Sequence, residues 1–229
     1  MKITERLINK KIIIVCGHYG TGKSNVAVNL AINIKNFANI SYTVADLDIV
    51  NPYFRSADSA DNLREQGINF IAPYFANTNV DIPAVPSEIY SIFADGINAI
   101  IDVGGDDTGA TVLGMFSDRI KEVEYEMIYV VNKYRNMISD IGEAKNLAEF
   151  IENKAKLRIS AVINNSNVGV MTTEKYICDS FDYADELACA IGIPLIGTSV
   201  IDEIANKMPD DIKDKYKIFE IKDYTKKYF

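Results

Sequence analysis

Eight consecutive residues, Gly17-His18-Tyr19-Gly20-Thr21-Gly22-Lys23-Ser24, follow the pattern G-x-x-x-x-G-K-S/T. These residue types at this spacing suit the capture of a nucleotide triphosphate. Backbone amides of such a loop cradle the phosphates, the lysine reaches the β- and γ-phosphates, and the hydroxyl faces magnesium. Asn25 extends the candidate phosphate-binding stretch by one residue. The competing reading is a plain strand-turn-helix with incidental glycines, and the flanks bear on the choice. A phosphate loop must join a buried strand to a helix, because amides at the helix N-terminus face the anion and the helix dipole favours negative charge there. Ile12, Ile13, Ile14 and Val15 form a β-branched run suited to a strand buried on both faces. Val26, Ala27, Leu30, Ala31 and Ile34 recur at helical spacing on the other side.

Three aspartates downstream have the chemistry to serve such a loop. Asp46 and Asp48 stand two residues apart after the strand-like run 40–45, so they point to the same side of a sheet. Open parallel sheets bind ligands at the carboxyl ends of their strands, where this pair reaches the magnesium and γ-phosphate region. A capped turn made by the aspartates with Asn51 and Pro52 is the alternative. Asp102 closes the apolar run 98–103 just ahead of Gly104-Gly105. A carboxylate there suits magnesium held through water, and the glycines let the next loop approach the γ-phosphate. Asn164 and Asn165 end a further strand-like run; an amide offers the donor and acceptor that adenine needs, yet asparagine is equally a turn residue. On residue chemistry alone the turn reading is preferred for this pair.

The elements that must position these groups alternate along the chain. Strands are predicted at 12–15, 40–45, 68–72, 98–103, 126–132, 159–165 and 194–198. Helices are predicted after the phosphate loop, over 56–67, through Ile141, Ala144, Ala148 and Ile151, and over 173–191 with Gly192 and Pro194 as its stop. The stretch 73–87 carries Pro73, Pro83 and Pro86 and reads as a loop. This alternation predicts an α/β fold, a three-layer, doubly wound, mostly parallel sheet of about seven strands, forming a single domain over 1–229. Ile218, Ile221 and Tyr224 fall at near-helical spacing in the tail beside Lys222, Lys226 and Lys227.

Whole-chain properties narrow the function classes. The chain has 229 residues, 48% of them hydrophobic, enough for one substantial core. The start MKITERLINKK lacks a secretory apolar segment, and no window approaches a membrane span, so a cytoplasmic location is expected. A formal net charge of −8 argues against nucleic acid as a partner. Cys16, Cys178 and Cys189 show no metal spacing, and the single histidine, His18, lies inside the phosphate loop, where it is poorly placed for serine or cysteine catalysis.

With these residues in view, the chain resembles the MinD and ParA superfamily of P-loop ATPases, the SIMIBI class, over nearly its full length. The likeness rests on GHYGTGKS, ADLDIVNP, IIDVGG, VINN and GIPLIGTS in that order. It implies ATP and Mg2+ as ligands, with Lys23 on the β- and γ-phosphates, Ser24 ligating magnesium and Asp46 near it. It further implies that Asp48 orients the attacking water, that Asp102 holds magnesium through water, and that Asn164 contacts adenine from an I/L-N-R motif here read I-N-N. Members such as MinD carry, after the loop's first glycine, a second lysine that reaches the partner's nucleotide across a dimer; His18 stands there in this chain. The expected function is a slow ATPase whose nucleotide state governs binding to an unidentified protein partner, with any homodimer held by other surfaces. A small-molecule ligase or kinase of the dethiobiotin synthetase type and a non-hydrolysing regulatory module are the alternatives. MinD proteins reach membranes through a C-terminal amphipathic helix, but the tail's apolar face is short and interspersed with acids, so membrane binding is not expected.

Overall fold

The computed structural model describes residues 2–48, 63–71, 87–105 and 107–224. The β-branched run after Lys11 becomes strand β1 (Ile12–Cys16), buried throughout. It is followed by β2 (Tyr42–Asp46), β3 (Phe70–Ile71), β4 (Asn98–Asp102) and β5 (Tyr125–Val131). Strands β6 (Ala161–Asn164), β7 (Leu195–Ile201) and β8 (Ile218–Ile221) complete the series. Among the described residues, these eight form one sheet in the order β3-β2-β4-β1-β5-β6-β7-β8, with every neighbouring pair parallel.

Side chains alternate across a strand, so a strand covered on both faces must be apolar at every position. In β1, Ile12, Ile14 and Cys16 enter one apolar cluster while Ile13 and Val15 enter another on the opposite face. Helices α1 (Ile3–Leu7) and α2 (Lys23–Ala38) pack on the Ile13 and Val15 side. Helices α3 (Asp107–Met115), α5 (Ile141–Ala155) and α7 (Phe181–Ile191) cover the other face; the short α4 (Ser117–Lys121) and α6 (Glu174–Asp179) precede α5 and α7. Two further short helices, α8 (Asp202–Ala205) and α9 (Asp210–Lys215), lie beside a satellite cluster of Ile177, Phe181, Val200, Ala205 and Met208. The result is the doubly wound three-layer α/β fold that the alternation predicts.

Three details differ from the sequence expectation. The sheet has eight described strands, one more than expected, because the tail residues Ile218–Ile221 pair in parallel with β7. Their helical-looking spacing loses to the period of two: Phe219 and Ile221 are buried on the α2 side while Glu220 is exposed. The predicted helix over 173–191 is two helices broken at Ser180, whose buried hydroxyl donates to the Ile177 carbonyl at 2.7 Å. Strand β3 is two residues long, shorter than the run 68–72. Most of the helix expected over 56–67, almost all of the loop 73–87 and the last five residues lie outside the described residues. Among the described residues, no helix is long and apolar enough to cross a membrane.

Candidate functional site

Strand β1 sits between β4 and β5, and the chain moves to opposite sides of it before and after that point. Such a reversal of strand order opens a crevice at the carboxyl ends of the central strands. The loop 17–22 occupies it, running from β1 directly into α2. Gly22 caps α2 at φ 84°, a left-handed backbone, and a Cβ there would lie 2.3 Å from Asn165 Nδ2. Only glycine meets both conditions.

The loop is held by its own side chains and by the next strands. Thr21 is fully buried and its Oγ1 donates to the His18 carbonyl at 2.9 Å. Lys23 Nζ donates to the same carbonyl at 3.0 Å, which places its ammonium over the loop. His18 Nδ1 lies 2.9 Å from the Tyr19 carbonyl, and the Tyr19 ring is exposed. Asn165, at the end of β6, donates from Nδ2 to the Thr21 carbonyl at 2.6 Å and accepts from Ser199 Oγ of β7 at 2.6 Å. A buried amide thus braces the phosphate loop against the neighbouring strands.

The carboxylates converge on the same crevice. Asp46 and Asp102 end adjacent strands and are partners in register, so both buried side chains leave the sheet on one face. Ser24 Oγ donates to Asp102 Oδ2 at 2.5 Å. Asp102 Oδ1 is buried with no hydrogen-bond partner among the described residues. Burial pushes the Asp102 carboxyl up from 3.8 to about 6; Lys23 and the Ser24 hydrogen bond oppose the shift, and the Asp48 charge adds to it. The Asp46 carboxylate accepts from the Asp48 amide at 2.8 Å, whereas Asn51 and Pro52 of the alternative turn reading lie outside the described residues.

These oxygens fit magnesium. The Ser24 hydroxyl and the buried carboxylates of Asp46 and Asp102, the latter with one oxygen lacking a donor, make an all-oxygen set. Magnesium is usually held by one or two carboxylates together with waters and substrate phosphates rather than by a protein cage. Among the described residues, no group of three or more His, Cys, Asp or Glu side chains could hold a metal ion.

The loop after β4 rests on the phosphate loop. A Cβ on Gly105 would stand 2.5 Å from the Tyr19 amide nitrogen and 2.8 Å from Lys23 Nζ. Contact this close leaves no room for a side chain and ties any movement of residues 103–105 to the phosphate loop.

Two candidates have their side chains engaged inside the protein. Asn164 is fully buried; its Nδ2 donates to Ser180 Oγ at 2.9 Å, and its Oδ1 accepts from the Ser166 amide and hydroxyl. Asn25 Oδ1 accepts from the Tyr224 amide at 3.1 Å. Nothing in the sequence signalled that Asn165, weighed only as an adenine contact or a turn residue, or Arg135 would hold the phosphate loop. Asn165 stood out as a departure from a motif, whereas Arg135 had only its place after β5, and its Nε donates to the Gly20 carbonyl at 2.7 Å.

A glycine-rich loop joining a buried strand to a helix, at the order reversal of a parallel doubly wound sheet, defines the P-loop NTPase fold. No protein-family model matches the chain, and no curated protein sequence matches it. Among solved structures it is similar to the signal recognition particle 54 kDa protein from Aeropyrum pernix K1 in complex with GDP. The identity is 16% over 83% of this chain and 41% of that one, with a TM-score of 0.48. The cell division protein FtsY from Thermotoga maritima gives 16% identity over 82% and 61%, with a TM-score of 0.47. A nucleotide-binding protein in complex with ADP from Archaeoglobus fulgidus gives 14% identity over 89% and 88%, with a TM-score of 0.48. The chain therefore spans less than two thirds of the first two proteins.

Proposed function

We propose that this protein binds magnesium-ATP, hydrolyses it slowly, and uses its nucleotide state to switch its association with another protein, in the manner of the MinD and ParA ATPases. The observation that carries the proposal is the Ser24–Asp102 contact with its orphaned buried carboxylate oxygen, set beside Lys23 in the phosphate loop. Magnesium, if bound, would neutralise charge on the phosphate oxygens; Ser24 and Asp102 would hold it, with Asp46 near. The loop amides and Lys23 grip the phosphates, and Asp48 orients a water for attack on the γ-phosphorus. The γ-phosphorus bond to the β–γ bridging oxygen breaks as the water oxygen bonds to phosphorus, leaving ADP and inorganic phosphate with a proton of the water released to solvent. Positioning and charge stabilisation suffice for such a transfer, with no covalent step on the protein.

ATP is preferred over GTP because Asn132-Lys133-Tyr134-Arg135 lacks a carboxylate where guanine's amino group would need one. An adenine contact from Asn164 requires its amide to exchange Ser180 or Ser166 for the base. Hydrolysis is slow because His18 is shorter than the second lysine that MinD-like ATPases carry at this position and extend to a partner's nucleotide.

Calorimetric titration tests the proposal. Lys23→Ala is expected to lose ATP binding while remaining folded, since it removes a charge-assisted contact from the loop. Asp48→Asn is expected to keep binding and lose turnover. A folded Lys23→Ala protein with wild-type ATP affinity would end this reading.

A further inference from the structure

We infer that Arg135 is a phosphate-binding cation supplied within the same chain, set against the phosphate loop in which His18 stands in place of a second lysine. The inference rests on the magnesium-ATP reading above and names a residue for it. Arg135 lies in the short connection after β5, the strand beside β1, and its side chain crosses to the phosphate loop. Nε donates to the Gly20 carbonyl at 2.7 Å. The guanidinium lies so near the Gly20 Cα that a Cβ there would meet Cζ at 3.1 Å and Nη2 at 3.3 Å. The head group is thus fixed at the loop by its inner nitrogen.

What that anchor leaves over is the part of arginine suited to phosphate. The two terminal nitrogens carry four N–H donors in a planar fork that matches phosphate oxygens, and the charge persists at every physiological pH. Among the described residues, Arg135 makes no ion pair, although the chain carries a net charge of −8 and acids are plentiful. The side chain is exposed, so it can turn toward a bound nucleotide without breaking a packed core. The near-side companion is Lys23, whose Nζ points at the His18 carbonyl of the same loop. Lys23 and Arg135 therefore approach the loop from α2 and from β5 respectively, on separate elements. A cation brought from a second strand favours the most highly charged ligand, and that is the terminal phosphate of a triphosphate.

The test is calorimetric titration of wild type, Arg135→Gln and Arg135→Lys with ATP and with ADP, in magnesium. A charge-assisted contact to phosphate is worth on the order of ten- to a hundred-fold in affinity. Arg135→Gln is expected to lose about that much for ATP, to change little for ADP, and to unfold at the wild-type temperature. Arg135→Lys is expected to recover part of the ATP affinity. Equal losses for both nucleotides would show that Arg135 only clamps the loop, and unchanged affinities would show that it does neither; each overturns the inference. Failure of the wild type itself to bind either nucleotide would overturn the magnesium-ATP reading as well, and so is distinguished by the unmutated protein.

Discussion

Asp102 keeps a carboxylate at the end of a buried strand with one oxygen on Ser24 and the other without a partner. Burial raises its pKa from 3.8 to about 6, so between those values the folded protein holds a proton that the unfolded chain has released. Stability contributed by that proton is present below the unfolded value and is lost as pH rises to about 6, the reverse of the usual aspartate. In metal-free protein, Asp102→Asn is therefore expected to be more stable than wild type at neutral pH. Its advantage should grow from pH 3.8 to about 6 and stay constant above. Urea unfolding across pH measures this. A difference that shrinks as pH rises would mean that Lys23 and Ser24 outweigh burial. At pH 7, added magnesium with ATP should stabilise wild type and leave the variant largely unaffected, because ligands that bind only the folded state raise its stability.

At the level of elements, β8 is joined to the fold by more than its ladder with β7. Asn29 on α2 donates from Nδ2 to the Lys222 carbonyl at 2.8 Å and accepts from the Lys222 amide at 2.9 Å. One turn earlier on the same face, Asn25 accepts from the Tyr224 amide. The two asparagines continue the backbone pairing beyond the last strand and place the tail against the first turns of the phosphate-loop helix. Asn29 is buried, so replacing it with leucine leaves two part-buried backbone groups without partners. A loss of about 2 kcal/mol is expected from the cost of unsatisfied buried groups. Chemical denaturation would measure it, and a loss below about 0.5 kcal/mol would mean that water replaces the amide at no cost.

For the whole molecule, the question is whether one chain is sufficient for turnover. Histidine is shorter than lysine, so His18 reaches less far toward a neighbouring site than a lysine would. His18 also turns toward the neighbouring Tyr19 carbonyl. ATP turnover per chain is accordingly expected to be low and independent of protein concentration, and His18→Lys is expected to introduce a rise with concentration. Steady-state rates over a wide concentration range decide the matter. A steep rise already present in wild type and abolished in His18→Ala would show that His18 acts across a dimer.

The residues by themselves determined the strand, loop and helix at 12–38 and the alternation that makes a parallel sheet. Their causes are local: β-branched runs, helical spacing of apolar residues, and glycines where the backbone must turn. They also marked Asp46 and Asp102 as strand-end carboxylates, and the strand register then brought the two together. Only the tertiary structure decided that Asn165 braces the loop, that Arg135 reaches Gly20, and that Gly105 presses on Tyr19. It decided too that Ile218–Ile221 pair as a strand, because the spacing of three apolar residues fits a helix as well until β7 offers an open edge. Each of these depends on groups 86 to 144 positions apart, or on a neighbouring strand's free backbone, and no local pattern in the chain encodes which distant partner a side chain will meet.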